Sequence, residues 1–123
     1  MATFRPLAIL AVCGAMTQSL PALAASAVSY GNRTVSTASA PTSMKAAVQA
    51  LENCSTRDSY CKLLLTCEER GAGAAALSQN NGFVQALGAV CGRPDASVAR
   101  DMALQFCRDN GGSNCQIVAI WAD

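Results

Sequence analysis

Six cysteines between residues 54 and 115 constrain the fold of this chain more than any other feature. The chain has 123 residues, seven cysteines and no histidine, and the seventh cysteine, Cys13, lies in an apolar N-terminal stretch. No Cys-x-x-Cys pair occurs. An even set of cysteines in an exported chain this short indicates a disulfide framework, in preference to a thiolate metal site or a thioredoxin-like redox centre.

The N-terminal residues have the pattern of a secretory signal peptide. A positive charge at Arg5 precedes an apolar run over 6–16, and Ala22-Leu23-Ala24 has the small-x-small pattern that signal peptidase recognises. The apolar run is roughly half of the about 20 residues that span a bilayer. We therefore expect a signal peptide over 1–24 and a protein released to the periplasm or the cell exterior, without stable membrane insertion after cleavage.

Charge and composition exclude several classes of function. Nine Lys and Arg oppose eight Asp and Glu, so the net charge of +1 gives no electrostatic reason to expect a nucleic-acid partner. Without histidine, the Ser-His and Cys-His nucleophile arrangements are absent. We expect no cofactor and no metal, and no catalytic residue is assigned.

Two segments precede the first cysteine. Residues 25–41 are rich in Ser, Thr and Ala without clear periodicity, which predicts a flexible leader ahead of a single folded domain over 42–123. Thr42 or Ser43 then caps a predicted helix that ends near Cys54. Its buried face is predicted from helical spacing to consist of Met44, Ala47, Val48 and Leu51.

The sequence contains a short internal similarity. Ala-Leu-x-x-Cys, a polar loop and Cys-x-aliphatic-aliphatic occur over 50–64 and again over 103–118. The second copy follows a predicted helix that starts at Asp95 or Ser97 and ends near Arg108. Its predicted buried stripe consists of Ala99, Met102, Ala103, Phe106 and Cys107. The predicted stripe of the first helix has a different register relative to its cysteine. A duplicated domain and a shared motif therefore both remain open.

The remaining segments predict strands. Residues 117–121 are β-branched and aromatic, and residues 61–67 are assigned to a strand by analogy. Asn81-Gly82 separates two apolar runs and predicts a tight hairpin, because both turn residues need a positive φ. The expected fold is α+β in the order α-β-β-β-α-β, a disulfide-stapled domain with a mainly antiparallel sheet and two helices packed on it.

This order of elements predicts how the cysteines pair. A short loop from a helix end to the next strand brings two sulfurs together, which predicts Cys54–Cys61 and Cys107–Cys115. Cys67–Cys91 follows by elimination. In the loop-entropy treatment, closing a loop of about eight residues stabilises the fold by roughly 2.5 kcal/mol.

The pattern resembles a known family of exported bacterial proteins. The residues that carry it are Ala74 to Ser78, Asn81-Gly82-Phe83, Ala99, Ala103-Leu104-x-x-Cys107 and Cys115-x-Ile117-Val118. They resemble the family known as domain of unknown function 4189, over residues 72–121. The resemblance implies the fold and the exported compartment, and it carries no agreed activity.

Few side chains suggest a site. Adjacent strand residues point to opposite faces, so Glu68 and Glu69 are not expected to cooperate, and Asp95 and Asp101 suit a helix start. The loop over 109–114 is expected to be a disulfide-closed turn and not a calcium site. The speculative binding residues are Asn80 and Asn81 at the hairpin tip and Trp121 near the C-terminus.

Three classes of function follow. The first is a non-enzymatic binding module, of inhibitor or immunity type, that acts on another exported protein. The alternatives are a structural or stress-related envelope protein and, less favoured, a small enzyme that uses carboxylates. Neither the partner nor the oligomeric state can be read from the sequence.

Overall fold

The computed structural model describes residues 25–122, and these form six strands and two helices. A first hairpin is followed by a helix and a strand: β1 (Ala25–Tyr30), β2 (Val35–Ala40), α1 (Ser43–Ser55) and β3 (Lys62–Cys67). A second hairpin is followed in the same way: β4 (Ala72–Asn80), β5 (Phe83–Arg93), α2 (Ala96–Asp109) and β6 (Gln116–Trp121). The α+β class is confirmed. The predicted signal peptide, residues 1–24, lies outside the described residues.

The predicted flexible leader over 25–41 is wrong, because these residues form β1 and β2. β1 is the central strand of its sheet, and Ala27, Val28 and Ser29 are almost completely buried. The inward-facing positions hold Ala and Ser, so the alternation of large apolar and polar residues that marks a strand is missing. A strand that packs tightly against a helix needs small side chains, and the same composition is typical of a linker. The folded part therefore includes residues 25–41 and does not begin at Thr42.

The described residues form two units with the same topology, which we call the N-terminal unit (25–67) and the C-terminal unit (72–121). Each is a three-stranded antiparallel sheet with the first strand in the centre, in the orders β2-β1-β3 and β5-β4-β6. The last strand of each unit shifts register at one point, after Val28 on β1 and after Ala75 on β4. The residue skipped there, Leu64 or Val118, lies three positions after a cysteine in both units.

The helices pack in equivalent registers, contrary to the expectation from the sequence. The buried residues of α1 are Ala46, Ala50 and Cys54, and those of α2 are Ala99, Ala103 and Cys107. The predicted stripe of α1 is wrong, because Met44 is 76% exposed and Val48 is 52% exposed. In the predicted stripe of α2, Phe106 is likewise exposed, whereas Ala99, Ala103 and Cys107 are buried. Small residues bring the helix axis close to the sheet, and this close packing leaves the larger residues outside. The shared topology, bulge and helix register indicate a duplicated unit.

Local signals at the helix ends and at the second hairpin are confirmed. The hydroxyl of Thr42 accepts the backbone N–H of Lys45, and the carboxylate of Asp95 accepts that of Val98. Asn81 and Gly82 have φ values of 56° and 83°, as the predicted tight turn requires.

The three predicted disulfides are present. Cys54–Cys61 and Cys107–Cys115 each join the end of a helix to the start of the following strand, with Cα atoms 6.1 Å apart in both. Cys67–Cys91 instead joins β3 to β5, so it connects the two units. The first two bonds are therefore equivalent by the repeat, whereas the third has no counterpart.

Contacts at the hairpin ends also connect the two units. The backbone N–H of Val84 donates to the carbonyl of Asn32, and the amide of Gln79 donates to the carbonyl of Arg33. The guanidinium of Arg33 lies 4.8 Å from the centre of the Phe83 ring. The turn of the first hairpin is thus held against the tip of the second.

Candidate functional site

The three speculative binding residues do not come together. Asn80 and Asn81 are exposed at the tip of the β4–β5 hairpin, whereas Trp121 pairs with Gly73 at the opposite end of β4. Seven residues of strand separate these two positions, about 23 Å. The indole of Trp121 packs on Gly73, where an added Cβ would overlap the ring, and the side chain is half-buried. Trp121 is therefore a packing residue of the sheet, and no common site includes all three.

The carboxylates singled out in the sequence have separate roles. Glu68 accepts a hydrogen bond from the Ser43 hydroxyl, Asp95 caps α2, and Asp101 pairs with the exposed neighbour Arg100. Asp109 accepts a hydrogen bond from the amide of Gln105. Each of these groups is explained by its own local partner.

Among the residues that the structure describes, the carboxylate of Asp58 has a clearly shifted pKa. The backbone N–H of Arg33 donates to its carboxylate at 2.7 Å, and those of Thr34 and Ser59 donate at 2.9 and 2.8 Å. These bonds, led by that from Arg33, lower the pKa of Asp58 to about 2. Asp58 also lies against Gly31, where a Cβ would overlap its side chain. It fastens the α1–β3 loop to the turn of the first hairpin, which is a structural role.

Two cavities lie one after the other along the boundary between β2 and α1, and we call them together the β2–α1 groove. Its apolar end is a cavity of about 460 Å³ beside the end of β2 and the first turns of α1. The exposed side chains of Met44 and Val48 line it, together with the charged residues Lys45 and Glu52. This end adjoins Ser39 and Ala40 of β2.

The polar end of the groove has different chemistry. It is a cavity of about 400 Å³ that lies along the start of β2 and the end of α1. Hydroxyl, amide and guanidinium groups line it, from Ser36, Thr37, Asn53, Thr56 and Arg57. Arg57 donates to the Ser36 hydroxyl at 3.1 Å. Val118 and Ala119 of β6 form the opposite wall, so this end of the groove lies between the two units.

The backbone of β2 faces the groove along its open edge. β2 is an outer strand of its sheet, and the amide of Asn53 donates to the carbonyl of Thr37 from the side opposite β1. Backbone groups of alternate residues point to the same side of an antiparallel strand, so Val35 and Ser39 also face outward. Within the described residues, no strand pairs with this edge.

Reasoning from the sequence missed this groove because it assigned Met44 and Val48 to the core. One signal was available: Ala46, Ala50 and Cys54 have the same spacing as Ala99, Ala103 and Cys107, which the sequence analysis placed correctly. Aligning the two copies on their cysteines leaves Met44 and Val48 outside the buried stripe.

Between residues 25 and 122, no group of three or more Cys, Asp or Glu side chains is arranged to hold a metal ion. None of the helices in this part of the chain is long and apolar enough to cross a membrane.

Comparison with known proteins extends the resemblance seen in the sequence. No curated protein and no solved structure matches the chain. The family model described as Domain of unknown function (DUF4189) matches residues 21–121, which include both units and not only the second. The match therefore covers both ββαβ units and their equivalent disulfides. The chain belongs to the Domain of unknown function (DUF4189) family.

Proposed function

We propose that this protein is an exported, non-enzymatic binding module that acts on another exported protein through the β2–α1 groove. The observation that carries the proposal is the open edge of β2 beside a cavity with two exposed apolar side chains, Met44 and Val48. Large apolar side chains exposed next to a cavity are typical of surfaces that bind proteins or ligands.

The disulfides support both the compartment and the role. Three disulfides in 98 described residues suit an oxidising compartment, and Cys54–Cys61 ties the end of α1, which borders the groove, to the start of β3. A rigid surface loses little conformational entropy when it binds a partner. The predicted signal peptide over 1–24 supports export.

The test is selection from a displayed library of fragments of the source organism's exported proteins, with oxidised chain 25–123 as bait. We expect binders whose affinity falls at least about tenfold with Val48→Glu, because the charge enters the apolar end of the groove. Val98→Glu is the matched control, since Val98 is also an exposed valine in a helix, on α2 and away from the groove.

Two results contradict the proposal. One is a selection that yields no binder to the oxidised chain. The other is a set of binders that Val48→Glu and Val98→Glu weaken equally, since such binders do not use the groove. Circular dichroism and urea denaturation of both variants check that each is folded.

A further inference from the structure

The two ends of the groove and the strand edge between them define the class of partner. We propose that the groove binds an extended peptide segment of the partner protein, which pairs with β2 as an added strand and carries an apolar and an acidic side chain four residues apart. The inference rests on the proposed function, since it identifies what occupies the same groove.

The open edge of β2 supplies the main-chain part of this recognition. Val35, Thr37 and Ser39 direct backbone donors and acceptors toward the groove, and of these the Thr37 carbonyl receives the Asn53 amide. β2 contains no Lys, no Pro and no other charged residue, and these are the features that commonly protect an edge strand from pairing. Addition of a strand to such an edge is an established mode of peptide binding.

The spacing of the two ends sets the spacing of the side chains. The apolar end adjoins Ala40 and the polar end adjoins Ser36, four residues apart on β2. A paired strand has the same rise, so the two ends are about 13 Å apart along it. Side chains at an even spacing point to the same face of a strand. One segment therefore places an apolar side chain by Met44 and Val48 and a second side chain by Arg57.

Charge identifies the second side chain as acidic. Arg57 is the only charged residue that lines the polar end, and no carboxylate within residues 25–122 forms an ion pair with it. The surrounding groups include the hydroxyl of Thr37 and the amide of Asn53, which has a second N–H besides the one donated to Thr37; the hydroxyl of Thr56 already donates to the Asn53 carbonyl. A carboxylate of the partner can therefore accept hydrogen bonds at this end from the guanidinium of Arg57 and from neutral donors.

The equivalent edge of the C-terminal unit is not available in the same way. Cys91 of β5 is bonded to Cys67 of β3, which holds another strand beside this edge. The outer edge of β2 is therefore free of any strand pairing within the described residues, whereas the equivalent strand of the C-terminal unit, β5, is tied by a disulfide to β3. We therefore expect the peptide to pair with β2 and not with β5.

The test measures binding of a fluorescein-labelled octapeptide of Thr and Val, capped at both ends, with Leu at its third and Glu at its seventh position. The same peptide is made with the two residues exchanged, since an added strand runs in either direction. We expect saturable binding of one of the two. A peptide N-methylated at alternate residues on its pairing edge should bind at least about tenfold more weakly, because it loses donors to β2. Replacing Glu by Gln should weaken binding about threefold.

Variants of the protein separate this inference from the proposed function. Arg57→Gln should weaken the Glu peptide about threefold and leave the Gln peptide unchanged, whereas Arg108→Gln, which removes the same charge from the end of α2, should change neither. Binding that ignores N-methylation and Arg57 but still falls with Val48→Glu overturns the strand-addition inference and leaves the proposed function standing. Failure of both peptides to bind overturns the inference as well.

Sedimentation equilibrium of the peptide-free chain tests the alternative occupant, a second copy of this chain. A monomer is expected. A concentration-dependent dimer that Val48→Glu abolishes would mean that the β2 edge pairs with itself, and would overturn the inference.

Discussion

The two units have one topology, yet they fit a helix to a sheet in different ways. In the N-terminal unit the strand residues under α1 include Ser29 and Ser36, and the Ser29 hydroxyl donates to the carbonyl of Ala50 at 2.6 Å. The register of the hairpins places Ala76 and Gly88 at the equivalent positions of the C-terminal unit. There α2 lies so near β5 that a Cβ on Gly88 would overlap the carbonyl of Ala103.

This difference shows that a helix–sheet interface built of small residues has two solutions. Glycine lets the helix backbone touch the strand, so van der Waals contact provides the stabilisation. Serine adds volume, and its hydroxyl must then find a buried acceptor. The helix registers remain the same because the alanines and the terminal cysteine of each helix are the same in both units.

The largest effect is expected from the disulfide that has no counterpart in the repeat. Replacing Cys67 and Cys91 together by Ser opens a loop with a sequence separation of 24, whereas Cys54 and Cys61 are separated by 7. Loop entropy predicts losses of about 3.5 and 2.5 kcal/mol for the two pairs. Urea denaturation of both double variants measures them. Equal losses would show that the connection between the units adds nothing beyond a local loop.

The next effect concerns the closest helix–strand contact. Gly88→Ala should lower the free energy of unfolding by about 2–3 kcal/mol, because the new methyl group meets helix backbone that cannot turn aside. Ser36→Ala, at the equivalent position, removes only the bond from Arg57 and should cost about 1 kcal/mol or less. Thermal and urea unfolding compare the two. Equal losses of unfolding free energy for Gly88→Ala and Ser36→Ala would contradict the difference between the two helix–sheet interfaces.

The buried hydroxyl of the N-terminal unit comes next. Ser29→Ala should cost about 1 kcal/mol, since it removes a fully buried hydrogen bond between β1 and α1. Ser55→Ala is the matched control, because its hydroxyl donates to the Glu52 carbonyl on the exposed end of the same helix. The control should change the stability by less than about 0.5 kcal/mol. A larger loss for Ser55→Ala would contradict this account of the interface.

The smallest effect appears only in acid. The pKa of Asp58 falls from 3.8 to about 2 on folding, so its contribution to stability is complete above about pH 4 and is lost as the pH falls toward 2. Asp58→Asn should remove this part of the acid dependence, whereas Asp109→Asn should keep it. Urea denaturation between pH 6 and pH 2 compares them. If the unfolding free energy of Asp58→Asn changes with pH in parallel with that of the parent chain, the hairpin turn does not need the carboxylate.

Most of the chain after Thr42 could be predicted because its signals are local. The N-cap residues Thr42 and Asp95, the Asn81-Gly82 turn and the spacing of the cysteines each act within a few residues. Those signals were sufficient for both helices, four strands and all three disulfides.

The candidate site and the first hairpin depended on distant contacts. Residues 25–40 have the composition of a linker and become strands because β1 pairs on both sides, with β2 and with β3. Met44 and Val48 have the spacing of a buried face, and only the close packing of Ala46 and Ala50 on the sheet turns them outward. Helical periodicity gives the angle between side chains but not which face meets the sheet.

The sequence by itself therefore determined the helices, the disulfide pairing and the α+β class, since each follows from short-range geometry and from cysteine spacing. Only the tertiary structure decided that residues 25–121 contain two copies of one unit, that residues 25–40 belong to the first copy and which strand edge is left open. These depend on how closely small residues let a helix approach a sheet. That distance is set by partners far apart in the sequence, such as Ser29 and Ala50.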